Sequence, residues 1–254
     1  MNTTAERTTA RAATPGATGS PEHAESWYAA TARSSPERPP LEGEVTTDVC
    51  VVGAGFSGMV TALHLAERGY AVTVLEAARV GWGASGRNGG QLVNGYSRDL
   101  DTIEKRYGAE AARQLGSMAF EGADIIRELV KRYDIDCGLR SGGLFAAFNR
   151  RQLRELEQQK KEWEAYGHQG LELLDGDSIR AHVATDLYAG GLLDRWSGHV
   201  HPLNLVLGEA EVVESLGGTI HEHSAVTRVE QGERPVVHTA NGRVSAKHVV
   251  LCGN

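Results

Sequence analysis

An α/β fold is predicted for this chain by three features of its 254 residues. A short, nearly all-apolar run, DVCVV (48–52), leads through a glycine turn into a segment with helical spacing and then a second apolar run. The middle of the chain changes to short strands mixed with a charged helix, and a last apolar run, HVVLC (248–252), resumes the first pattern. A run apolar on both faces suits a parallel sheet covered by helices. The layout is therefore a β–α–β unit interrupted by an α+β insertion.

Taken in order, residues 1–24 are rich in Thr, Ala, Ser and Pro with balanced charge, and are expected to be disordered. Trp27 and Tyr28 are the first residues with anything to bury, and the Pro-rich stretch SPERPPLEGE (35–44) should be extended. MVTALHLAER (59–68) places Met59, Ala62, Leu63 and Ala66 on one helix face, with Gly69 as its stop. AVTVLE (71–76) reads as the second strand. DLDTIEKRYG (99–108) and the stretch Ala109–Tyr133 read as helices. DCGLRSGGLFAAF (136–148) reads as two short strands, RRQLRELEQQKKEWEAYG (150–167) as a charged helix with a solvated face, and DLYAGGLLD (186–194) as a further strand. A helix with Pro202 in its first turn follows, then strands in SAVTRVE and PVVHTA and a hairpin turn at Asn241-Gly242. The predicted division is a tail and arm over 1–45, a nucleotide domain over 46–96 and 200–254, and an inserted domain over 97–199.

Composition excludes several classes. A net charge of −7 gives no electrostatic case for nucleic acid or an anionic membrane surface. Cys50, Cys137 and Cys252 are widely spaced, which argues for reduced thiols without a disulfide framework or structural zinc. No secretory h-region or membrane-length apolar run is present, so a soluble, cytoplasmic protein is expected. His199 and His201 lack further ligands at suitable spacing, and His201 beside Pro202 reads as structural. Cys50, mid-strand, reads as buried filler.

Gly53, Gly55 and Gly58 form G-x-G-x-x-G. Chance alone supplies roughly 0.4 such matches in a chain this glycine-rich, so context decides. Here an apolar strand precedes the motif, a helix follows, and Glu76 ends the second strand. That arrangement predicts a Rossmann-like dinucleotide site: a tight turn, backbone close to a pyrophosphate at the helix N-terminus, and Glu76 accepting from ribose hydroxyls. The stretch GWGASGRNGGQ (81–91) then argues for FAD over NAD. Its small residues would let the wide, flat isoalloxazine lie against backbone, and the glycines are read as leaving space for that ring. Arg87 is read either as tuning the flavin or as pairing with a carboxylate.

At these residues the chain resembles the D-amino-acid-oxidase-like family of FAD-dependent amine oxidases, whose domain is of the glutathione-reductase type. Besides DVCVVGAGFSGMVTALHLAERGYAVTVLEA and GWGASGRNGGQ, the likeness runs through KRYDIDCGLRSGGLFAAF, GHVHPLNLVLGEA and VVLCGN, and back to SWYAATAR. It implies FAD contacts from Gly53, Gly55, Phe56, Ser57, Gly58, Glu76 and Ala77. It implies further contacts from Ser85, Gly86, Arg87, Asn88, Gly89, Gly90 and Gln91 along the flavin, Val226 at the adenine, and Cys252 and Gly253 at the returning strand end. It also implies that both domains are incomplete at the C-terminal end, the chain being the N-terminal part of a longer enzyme. The implied reaction is oxidation by O2 of a small-molecule primary amine, that of γ-glutamylputrescine, to an aldehyde, ammonia and hydrogen peroxide. Oxidation of another amine or amino acid of the sarcosine or glycine type remains open, as do a NAD-dependent dehydrogenase and a non-catalytic FAD-binding fragment. No catalytic residue is named from the sequence.

Overall fold

A computed structural model describes residues 22–96 and 98–253. The disorder expected of the tail falls, for residues 1–21, outside the described residues. The arm begins with helix α1 (Trp27–Thr31), capped by Ser26, whose side chain accepts from the Ala29 N–H. Strand β1 (Gly43–Val52), helix α2 (Phe56–Glu67) and strand β2 (Val72–Leu75) form the anticipated β–α–β unit. Strand β3 (Gln91–Leu92) follows the glycine segment, then helices α3 (Leu100–Tyr107) and α4 (Ala109–Arg132). Strand β4 (Arg140–Ala147), helix α5 (Arg150–Ala165), strand β5 (Leu171–Asp175) and strand β6 (Gly190–His199) complete the middle. Helix α6 (Pro202–Ser215) precedes strands β7 (Thr219–His221), β8 (Arg228–Glu230), β9 (Val236–His238) and β10 (Gly242–Leu251).

Two sheets result. The larger has the order β7-β2-β1-β10-β9-β8. Its first four strands are parallel, and β9 and β8 close one edge antiparallel. In the smaller sheet β6 pairs antiparallel with β3, β4 and β5. The structure departs from the sequence reading at several places. DCGLRSGGLFAAF forms one strand, interrupted by a register shift between Ser141 and Gly143. Strand β1 starts at Gly43, inside the stretch expected to be arm, because Gly43–Thr47 pair with Gly242–Ala246 of β10. Gln91 and Leu92, expected in the nucleotide domain, pair with β6 of the other sheet. Strands β5 and β7 are additional.

The main core lies between the parallel sheet and the helices α2 and α6. Helix α2 buries Gly58, Met59, Ala62, Leu63 and Ala66, the i, i+3, i+4 stripe of an amphipathic helix. Gly69 adopts φ +82° and its N–H donates to the Ala66 carbonyl, as a helix stop should. Cys50 is fully buried, and burial pushes its thiol pKa up to about 12. Helix α5 buries nothing and carries i,i+4 ion pairs such as Arg151–Glu155 and Lys161–Glu157.

Helix α6 is buried on almost every side and includes Glu209, 2% exposed. Burial pushes the Glu209 carboxyl up to about 8 from an ordinary 4.5. Between those values the folded chain holds a proton that the unfolded chain releases, so stability falls as pH rises through that window. Glu209→Gln keeps the shape and removes the ionisation. It is expected to leave Tm unchanged at pH 5 and to raise it above wild type at pH 8, read from melting curves. A wild-type Tm flat from pH 5 to 8 would contradict the assignment.

Candidate functional site

The turn after β1 is built by close backbone contact. Gly53 has φ +104°, and a Cβ there would sit 2.9 Å from the Cys252 carbonyl oxygen. A Cβ on Gly58 would lie 1.9 Å from the Gly53 carbonyl oxygen, so α2 can approach the strand only with hydrogen at that position. Cys252 in turn donates its N–H to the Val52 carbonyl, which ties the end of β10 to the turn. Gly55 is the N-cap of α2 and offers no side-chain cap. The first N–H groups of a helix lack intrahelical acceptors, so Phe56, Ser57 and Gly58 present donors and a positive dipole end here. Of these, Phe56 donates to Ser85 Oγ at 2.9 Å.

Glu76 closes the other side. Its Oε2 accepts from the Ala54 N–H at 2.7 Å and its Oε1 from the Ala78 N–H at 2.9 Å. The carboxylate therefore fixes the turn, and each oxygen keeps a second lone pair for a further donor. Ala77 sits between Glu76 and this anchored amide. Val226, half-buried, packs against the small cluster that includes Leu41 and Val237, beside the edge of the large sheet.

The segment 81–91 does not leave its space open in the way the sequence suggests. A Cβ on Gly81 would meet Val206 Cγ1 at 2.5 Å, one on Gly86 the Gly81 carbonyl at 2.3 Å, and one on Gly90 the Val200 carbonyl at 2.2 Å. Gly90 also has φ +68°. These glycines serve the chain's own packing against α6 and the strand before it. Open surface remains at Gly83 and Gly89, where only Gln91 comes near. Asn88 folds the segment onto itself: its Nδ2 donates to the Ala84 and Ser85 carbonyls and its Oδ1 accepts from the Gly90 N–H. The Arg87 guanidinium stacks over the Trp82 ring at 4.2 Å.

Beside Gly89 and Gln91 lies a cavity of about 620 Å³ between the smaller sheet and the arm, with His199 and His201 on its margin. His201 is structural: its Nδ1 accepts from the Asn204 N–H and so caps α6. Several contributors were not legible from the sequence. Arg38, 4% exposed, donates twice to Glu214, and buried Glu222 accepts from the Val80 N–H at 2.8 Å. Their only sequence signal is position, Glu222 following a third parallel strand and Arg38 lying in a proline-rich run.

A parallel sheet with this turn, an acidic residue ending its second strand, and a returning strand locked to the turn defines a dinucleotide-binding α/β protein. The family model described as DAO, FAD dependent oxidoreductase, matches residues 48–254, and the chain belongs to that family. It is 57% identical over 92% of its length to the gamma-glutamylputrescine oxidoreductase of Escherichia coli, covering 55% of that protein. It is 41% identical to the probable oxidoreductase OrdL of Haemophilus influenzae, covering 92% of this chain and 54% of that protein. The chain thus spans about half the length of these curated relatives. Among solved structures, glycine oxidase from Geobacillus kaustophilus matches with TM-score 0.65 at 23% identity, over 82% of this chain and 55% of that one. L-amino acid deaminase from Proteus myxofaciens matches with TM-score 0.72 at 23% identity, over 88% and 48%. FAD is the family's cofactor, and the cradle at Gly53, Gly55 and Gly58, which admits no Cβ, fits its pyrophosphate.

Proposed function

We propose that the intact protein is a FAD-dependent oxidase of the primary amine of γ-glutamylputrescine. Amine, O2 and water are converted to aldehyde, ammonia and hydrogen peroxide. One observation carries the substrate: the 57% identity to gamma-glutamylputrescine oxidoreductase along almost the whole chain. FAD, when bound, supplies the two-electron acceptor chemistry. This chain's residues do the rest of what is proposed. The α2 N-terminus receives the pyrophosphate, Glu76 the adenosine ribose, and the open backbone at Gly89 the ring. Free Cys50, Cys137 and Cys252 suit a reducing, cytoplasmic setting.

The cavity has a definite task. A free alkyl amine with a pKa near 10.4 is only about 0.04% neutral at pH 7, a cost of roughly 4.6 kcal/mol. Losing a hydride from the carbon bearing nitrogen requires the neutral amine. Lined by Trp27, Tyr28 and Leu144, the cavity offers apolar surface to the substrate's alkyl chain, and a bound substrate that excludes water there would favour the neutral form.

Two measurements test the reading. The intact polypeptide should be yellow, absorbing near 450 nm, and should release peroxide faster with γ-glutamylputrescine than with putrescine or sarcosine. A colourless protein that takes up no flavin ends the proposal. Glu76→Ala should lose most bound FAD, because it removes the ribose acceptor and frees the Ala54 and Ala78 amides together. Unchanged flavin content by absorbance would contradict the role of Glu76.

A further inference from the structure

One wall of the cavity comes from outside both sheets. Helix α1 brings Trp27 and Tyr28 to the same space as Gly89, Gln91 and His199. Trp27 is 76% exposed and no residue of α1 is fully buried; Tyr28 packs against the main core, while Trp27 is left facing the cavity.

The helix is nevertheless held firmly. His201 Nδ1 accepts from the Asn204 N–H, which leaves the ring proton on Nε2. That proton is donated to Thr31 Oγ1 at 3.1 Å, and the Thr31 hydroxyl donates to the Trp27 carbonyl at 2.6 Å. The Tyr28 ring meets the same imidazole edge-on at 5.1 Å. The Arg33 N–H donates to Asn204 Oδ1 at 2.9 Å, and the Arg33 guanidinium pairs with Glu211 at 2.8 Å. A five-residue helix pinned by this many polar contacts, with its largest side chain left facing a cavity, is built to present that side chain.

The floor opposite has no side chains at Gly138, Gly142 and Gly143. At Gly138 and Gly142 even a Cβ would meet open space. A bare peptide floor under an aromatic wall fits a slender polymethylene chain better than a branched or compact molecule.

From this geometry we propose that Trp27, with Tyr28, is a specificity-determining wall that selects an extended alkyl amine with its reactive end beside Gly89. The proposal rests on the amine-oxidase reading given above and adds to it the residue that measures substrate length. His201 acts as a positioning residue through Thr31.

The test uses the full-length, FAD-loaded enzyme as wild type, Trp27→Ala and Trp27→Phe. Peroxide release is followed with γ-glutamylputrescine and with putrescine. Binding of γ-glutamyl-n-butylamide, which lacks the reacting amine, is titrated through the flavin absorption band. Trp27→Ala is expected to raise KM for γ-glutamylputrescine and Kd for the butylamide about tenfold. The kcat should stay within threefold, the ligand-free flavin spectrum unchanged, and the preference over putrescine should shrink. Trp27→Phe should recover most of each loss and stands alone if the alanine variant fails to fold. Unchanged KM and Kd overturn the proposal, and so does loss of flavin or of kcat without a change in butylamide binding. A wild-type enzyme that oxidises no amine instead overturns the functional reading, and the butylamide titration still judges the wall.

Discussion

Gly58→Ala is expected to give a protein that retains almost no FAD and melts well below wild type. A methyl group at this position would stand 1.9 Å from the Gly53 carbonyl oxygen and 3.5 Å from Cys252 Cβ. The obstructing atom is backbone, fixed by the Gly53 N–H donating to the Leu75 carbonyl at 2.8 Å, and no rotamer change can relieve it. Helix α2 would have to move away from β1, opening the core around Met59 and Ala62. Overpacking against backbone costs about 3 kcal/mol or more. For a protein of this size that lowers Tm by roughly 6–12 °C. The same displacement moves the helix N-terminus away from the proposed pyrophosphate site, so flavin content and stability should fall together. Gly122→Ala is the control. Its Cβ meets nothing within 4 Å on helix α4, and alanine is the better helix former, so Tm should hold or rise slightly. If Gly58→Ala matched Gly122→Ala in Tm and in 450 nm absorbance, the close-approach account of the turn would be wrong.

The contrast between these two glycines shows what the sequence could convey. The β–α–β unit was legible because its information is local: apolar runs for covered strands, the Met59 to Ala66 stripe, and a glycine stop at Gly69. Strands β5 and β7 were not, being short and, in β5, exposed at three of five residues. Segment 81–91 was legible as unusual but its cause was not. Gly81 and Gly90 are small for the sake of Val206 and Val200, which lie more than a hundred residues away in the chain. Arg38, Asp194, Glu209 and Glu222 defeat local reading for a different reason. Each has the composition of a solvated residue, and only the fold supplies the partners or the burial that set its state.

Asp194→Ala is expected to produce the second large loss, again by about 10 °C in Tm. Asp194 is fully buried in the smaller sheet, and its carboxylate gathers donors from three segments. Oδ1 accepts from the Trp196 N–H at 2.9 Å and lies 3.0 Å from His168 Nε2, while Oδ2 accepts from Asn94 Nδ2 at 3.1 Å and from the Ser197 hydroxyl. The Gly170 N–H donates to His168 Nδ1, which leaves the ring proton on Nε2 for Asp194. The imidazole is itself stacked on Trp196 at 4.5 Å and Trp163 at 5.7 Å, with Phe120 edge-on at 5.0 Å. Burial pushes the Asp194 carboxyl up, but the donors outweigh it, His168 and Ser197 first, and hold its pKa near 2. A folded pKa below the unfolded 3.8 means the charge contributes about 2 kcal/mol above pH 4, a contribution lost as pH falls towards 2. Alanine removes that and strands several buried donors at once, a change of about 3–5 kcal/mol. Asp194→Asn keeps one acceptor oxygen, so it should lose less at pH 7 and show a flatter acid limb between pH 4 and 2. The effect should also reach the cofactor. Asn94 lies two residues beyond strand β3, so releasing it should loosen Gln91 and the neighbouring glycine segment proposed to meet the flavin, and FAD should dissociate faster from the alanine variant. A Tm within 2 °C of wild type at pH 7, or an unchanged acid limb in the asparagine variant, would show that the buried carboxylate does not hold these segments together.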